Sequence, residues 1–167
     1  MTEEFARPQA ERVLLSTRKE YLAAVERLTG LAQHELRIFD ADFSGLEINS
    51  PRKSELLRAF LLRGRTNRLY IAVHDTEYLR NYCPRLLDLM RQFSDRMLIH
   101  KTLGDAARVQ DSFVLADRLH VVRRPVSAQP RGALRLNDEE ECQGIFLRFG
   151  EIWDSSVPAV SATTAGL

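Results

Sequence analysis

Short apolar runs alternate with amphipathic stretches along most of this chain. That alternation restricts the fold more than any other feature. Val13-Leu14-Leu15-Ser16, Leu36-Arg37-Ile38-Phe39-Asp40, Leu69-Tyr70-Ile71-Ala72-Val73 and Met97-Leu98-Ile99-His100 each read as a strand. Helical patterns separate them. Thr17-Arg18-Lys19-Glu20 fits a capping box, and Tyr21, Leu22, Val25, Leu28 and Ala32 then form one apolar face. Ser50 and Pro51 open a second helix, with Leu56, Leu57, Phe60 and Leu61 inward and Gly64 at its end. Thr76 caps a third helical region, which Pro84 should split because it lacks an amide and clashes with the preceding turn.

The pattern changes late in the chain. Phe113 to Ala116 and Leu119 to Val122 flank Asp117-Arg118 as a hairpin, and Ala133 to Leu136 adds a short strand. Asn137 or Asp138 caps a final helix carrying Ile145, Phe146, Phe149, Ile152 and Trp153. Alternation implies a largely parallel sheet, and the hairpin implies antiparallel edges. The expected fold is therefore α/β: a mixed, largely parallel sheet with helices on both faces. One domain over residues 13–154 is expected, with an N-terminal extension (1–12) and a disordered tail (155–167).

Composition excludes several classes. With 44% hydrophobic and 28% charged residues, 167 residues are neither a coiled coil nor a low-complexity chain. The start, Met-Thr-Glu-Glu-Phe, is not a secretory signal, and no run approaches the ~18 apolar residues of a membrane helix. Cys83 and Cys142 form no C-x-x-C pair and read as reduced thiols. A cytoplasmic protein without membrane contact is expected.

Three groups of residues are candidates for chemistry. Asp40 and Asp42 follow one strand, and His74 and Asp75 follow another. Ligands of open α/β sheets bind beyond strand carboxyl ends, where such side chains could hold a cation or act as acid and base. The same acids are also ordinary turn and cap residues. The four histidines, His34, His74, His100 and His120, lie too far apart for a metal-ligand spacing. No phosphate-binding glycine loop or nucleophile elbow occurs, so no cofactor is expected.

The remaining groups are arginine-rich. Arg52, Lys53, Arg58, Arg63, Arg65 and Arg68 surround the second helix, and Arg123, Arg124, Arg131 and Arg135 surround the late loop. Residues 51–135 carry 17 basic and 8 acidic groups, while the flanking segments are acidic. Such groups can neutralise phosphates, of nucleic acid among others, or make internal ion pairs.

From Glu35 onward the order of elements resembles one half of a phospholipase D-like domain. The matching features are the strand ending at Asp40, the helix ending in Arg63-Gly64, the strand ending at Val73 and the strand–Asp–strand hairpin. The closing helix adds Phe149 and Trp153. That family carries H-x-K-x₄-D followed by G-S-x-N, with the histidine as nucleophile and the lysine and asparagine on phosphate. Aligned on Asp117, this chain has Gln110 for the histidine and Ser112 for the lysine. Arg124, Pro125 and Ser127 stand where Gly, Ser and Asn belong.

The resemblance thus implies a catalytically inactive relative, similar to bacterial single-domain proteins of this fold. Gln110, Ser112, Asp117 and Arg124 would mark its pseudo-site. Asp40, His74, Asp75 and Arg123 would stand near it as a ligand or anion site. It also implies a homodimer, because active members combine two halves. A further protein partner is compatible with such a scaffold. The alternatives are an arginine-rich nucleic-acid binder and a metal-dependent hydrolase using Asp40, Asp42, His74 and Asp75.

Overall fold

A computed structural model describes residues 8–160. Eight strands form one sheet: β1 (Glu11–Leu15), β2 (Glu35–Asp40), β3 (Arg68–Val73), β4 (Met97–Thr102), β5 (Ser112–Ala116), β6 (His120–Arg124), β7 (Gly132–Leu136) and β8 (Ser156–Val160). Their spatial order is β1-β7-β6-β5-β2-β3-β4-β8. The helices are α1 (Arg18–Leu31), α2 (Pro51–Arg63), α3 (Glu77–Tyr82), α4 (Pro84–Gln92) and α5 (Glu139–Asp154). A 3₁₀ turn spans Gly104–Arg108.

The sheet is mixed, but its parallel part is small. Only β2–β3 and β3–β4 pair in parallel. The other neighbours run antiparallel, so the alternation of strands and helices overstated the parallel share. The reason lies in the second half of the chain. Short connections there make β5–β6 and β6–β7 antiparallel, and β1, β2 and β4 take their antiparallel partners from strands of that half that are distant in sequence.

Two successive crossovers, β2–α2–β3 and β3–α3–α4–β4, step in one direction across the sheet. Right-handed connections that step the same way place their helices on the same face. Helices α1 to α4 accordingly share one core with Leu36, Ile38, Ile71, Val114 and Val122. On the opposite face α5 packs Phe149 and Ile152 against Phe39, Ala72, Phe113 and Leu115. The period-2 alternation of strand side chains divides the two cores.

Local signals explain most element ends. Thr17 Oγ1 accepts from the Glu20 amide, and Ser50 Oγ accepts from the Lys53 amide. Asp138 accepts from the Glu141 amide at the start of α5. Pro84 divides α3 from α4 at Cys83. Thr76, expected as a cap, makes no capping bond; the Asp75 carboxylate accepts from the Glu77 amide instead. Burial pushes the Cys83 thiol up to about 11 and the Cys142 thiol up to about 12, so both are poor nucleophiles.

Both ends of the expected domain shift. The first strand begins at Glu11. The stretch from residue 155, expected to be disordered, instead supplies β8, which pairs antiparallel with β4. Polar composition hid this strand, yet Val160 is buried on the α1–α4 side. Residues 161–167 of the expected tail and 1–7 of the extension lie outside the described residues.

One glycine is fixed by close approach. A Cβ on Gly132 would lie 2.3 Å from the backbone oxygen of Arg123 across β6–β7. Gly132→Ala is expected to force those strands apart at a cost of about 1–3 kcal/mol. Urea denaturation, compared with Gly150→Ala where nothing lies within 4 Å, measures it.

Candidate functional site

Strands β2, β3, β4 and β6 end at one edge of the sheet, and β5 begins there. Asp40, His74, Ser112, Arg123 and Arg124 therefore gather at the same end. They do not converge. Side chains alternate along each strand, so Asp40, Ser112 and Arg124 face α1, whereas His74 and Arg123 face α5.

On the α1 side the groups form a closed set. Arg124 Nη2 donates to Asp40 Oδ1 at 3.0 Å, and its Nε donates to Ser112 Oγ at 3.1 Å. Its guanidinium lies 4.2 Å from the centroid of the Tyr21 ring. Asp40 Oδ2 accepts from the Phe43 amide at 2.8 Å and from the Asp42 amide at 3.3 Å. Side-chain exposure is 7% for Arg124 and 4% for Asp40, so little water screens the pair. Burial raises the Asp40 carboxyl above its ordinary range, opposed by the Phe43 bond and by Arg124. Burial likewise raises the Tyr21 hydroxyl, opposed by Arg124 and a hydrogen bond with Ser112. Arginine does not deprotonate in proteins, so the charge of Arg124 needs Asp40 as counter-ion.

On the α5 side His74 is engaged at both nitrogens. Its Nε2 lies 2.6 Å from the Val109 carbonyl oxygen, and its Nδ1 lies 2.6 Å from Thr102 Oγ1. The carbonyl can only accept, so Nε2 donates to it, and the Thr102 hydroxyl engages Nδ1. The ring edge packs on Phe39. Beside it, buried Asp111 accepts a two-pronged bond from Arg148 at 3.0 and 2.8 Å and a third from Arg123 at 3.0 Å.

A model of the family described as a domain of unknown function (DUF7931) matches residues 17–162. The chain belongs to the DUF7931 family. No curated protein matches it in sequence. Solved structures show the fold of this DUF7931 chain. It is similar to TrmBL2, an archaeal chromatin protein whose structure is described as showing a novel mode of DNA binding (TM-score 0.63, 14% identity, 93% of this chain and 56% of that one). It is similar to the phospholipase D family member Nuc from Salmonella typhimurium (TM-score 0.62, 13% identity, 92% and 100%). It is also similar to phosphatidylserine synthase from Haemophilus influenzae (TM-score 0.59, 15% identity, 93% and 40%). The chain thus spans about half of TrmBL2 and less of the synthase, but matches the full length of Nuc. The DUF7931 chain has the phospholipase D-like fold.

Several expected site residues of this DUF7931 protein lie elsewhere. Asp117 is not beside Gln110 and Ser112; it sits at the opposite end of β5. Its carboxylate accepts from the amides of Gln33, His34 and Glu35 at 2.7, 2.7 and 3.0 Å. Asp117 and Arg118 have φ of +55° and +54°, the paired left-handed residues of a primed hairpin turn. Asp117 therefore fastens the hairpin to the start of β2. Gln110 is exposed; it lines an open pocket with His74 and Ser127, and its backbone oxygen accepts from the Ser127 amide. Asp75 is occupied with its turn, and Asp42 with Ser44. Among the described residues no group of three or more His, Cys, Asp or Glu is placed to hold a metal ion. The acids that the metal-hydrolase reading combined are thus separated by the sheet or spent on turns.

The arginines around α2 are largely structural in the DUF7931 chain. Arg52 pairs with Glu26, and Arg58 donates to Gln92. Buried Lys53 donates to the Leu46 carbonyl, and Arg63 to that of Ala32. Tyr21, Asp111 and Arg148 are the site residues that sequence reading missed. Tyr21 looked like any inward position of α1, and no motif pointed to Asp111 or Arg148.

Away from this end, His120 Nδ1 accepts from the Asn137 amide at 3.1 Å, so that nitrogen must be unprotonated. Burial lowers the His120 pKa, as it does that of His100. The unfolded chain then takes up protons first as pH falls through ~6.5, and stability falls with it. The urea midpoint is expected to drop between pH 7.5 and 5.5, and less so in His120→Gln.

Proposed function

We propose that this DUF7931 protein is a non-catalytic phospholipase D-like module that acts in binding or assembly, as a homodimer. The observation that carries the reading is the closed Asp40–Arg124–Ser112–Tyr21 set. The deepest cation at the strand ends is already neutralised by a buried carboxylate. Among the described residues no buried side-chain polar atom lacks a partner. His74 has no free nitrogen, and the Gln110 amide is not a nucleophile. Dimerisation is argued from the family resemblance, since one half makes an incomplete site. Light scattering on eluted protein tests it: a dimer mass supports the reading, and a monomer at high concentration removes the assembly part.

One observation favours a second reading, nucleic-acid binding. The fold is shared with TrmBL2, described as binding DNA, and Arg65, Arg68 and Arg131 are exposed without an ion pair to any described residue. That reading requires binding which weakens steeply with salt. No binding at ~50 mM salt would dispose of it.

A further inference from the structure

Helix α5 covers the middle of its face of the sheet and leaves β6, β7 and β1 partly bare. A groove of about 230 Å³ lies there. Arg12, Arg123, Arg131 and Arg135 line it, from β1, β6, the loop before β7, and β7. Its floor is low, because Gly132 and Ala133 have almost no side chain.

The charges are not balanced within the groove. Arg12 stands directly opposite Arg135 in the β1–β7 register, and like charges in that position repel. Arg135 is partly compensated by Asp138 at 3.4 Å and Glu141 at 3.8 Å. Arg123 shares Asp111 with Arg148. Arg12 and Arg131 are exposed and have no ion-pair partner among the described residues. Five arginines in and beside the groove thus meet three acids, and the surplus belongs to Arg12 and Arg131.

We infer that this groove binds a tetrahedral oxyanion, a phosphate group either free or on a small phosphomonoester. Planar guanidinium forks match phosphate oxygens, and several converging from adjacent strands give multidentate contact. The volume is below the ~300–1,000 Å³ of ordinary ligand pockets, which suits one phosphate head rather than a large ligand. An anion there would also relieve the Arg12–Arg135 repulsion. The groove lies across the sheet from the Asp40–Arg124 centre, so the inference does not depend on whether that centre is catalytic.

The test is the unfolding temperature of the full chain against orthophosphate and against phenyl phosphate, with chloride holding ionic strength constant. A ligand that binds only the folded state raises it saturably. A saturable rise of several degrees is expected with at least one probe, and the tighter one identifies the source. Arg12→Ala and Arg131→Ala should each weaken binding by about tenfold or more, as loss of a charge-assisted bond implies. Both are exposed and have no ion-pair partner among the described residues, so the variants should fold; Arg65→Ala, outside the groove, should bind normally. No rise beyond that with chloride, or an unchanged rise in the Arg12→Ala/Arg131→Ala double variant, would overturn the inference. Binding of single-stranded DNA with neither small phosphate would overturn it as well.

Discussion

Replacing Arg124 with alanine should destabilise the protein by about 3–5 kcal/mol, the usual result of leaving one member of a buried ion pair alone. Asp40 would keep its Phe43 and Asp42 amide bonds but lose the one cation paired with it among the described residues, deep in a site with 4% exposure. Tyr21 would lose the guanidinium that covers its ring, and Ser112 a donor. Asp40→Ala should be as damaging for the converse reason. The double variant Asp40→Leu/Arg124→Met should lose less than either single, because replacing both charges leaves no orphan. Urea denaturation of the four proteins measures this. Additive losses would show that the two side chains do not act as a pair.

The second large effect concerns the position where the phospholipase D-like signature has lysine. Ser112→Lys would bring a second cation against Arg124 at a residue that is 1% exposed. Only Asp40 is there to neutralise both. Burying an uncompensated charge costs several kcal/mol, so a loss of about 3–5 kcal/mol is expected. Ser112→Ala should cost less, about 1–3 kcal/mol, because it leaves the buried Arg124 Nε and the Tyr21 hydroxyl without this partner. A stable Ser112→Lys protein would mean that the centre can open to a lysine, and hence to a phosphate.

Strand and helix positions follow from local pattern, so β2, β3, β4, α1, α2, α5 and the β5–β6 hairpin were legible from apolar spacing, caps and Pro84. Strand β8 was not, because a short edge strand needs only one buried residue, here Val160. The position of Asp40 and His74 at one end of the sheet was legible from strand ends, whereas Ser112 and Arg124 were expected beside them only through the family resemblance. Their division between faces was not. It depends on register, and one residue of register decides that Arg124 meets Asp40 while Arg123 meets Asp111. Asp117 shows the opposite error. Sequence alignment grouped it with Gln110 and Ser112, but β5 carries it a whole strand length away to hold the Gln33–Glu35 amides.

We propose that the strand-end centre is a closed ion pair and not a phosphodiesterase site. The most direct measurement is turnover of bis(p-nitrophenyl) phosphate by the purified full chain, beside His74→Gln. No release of nitrophenol above buffer is expected from either protein. Release by the natural chain that disappears in His74→Gln would contradict it, since His74 would then be working as a catalytic group despite its bonds to Thr102 and Val109.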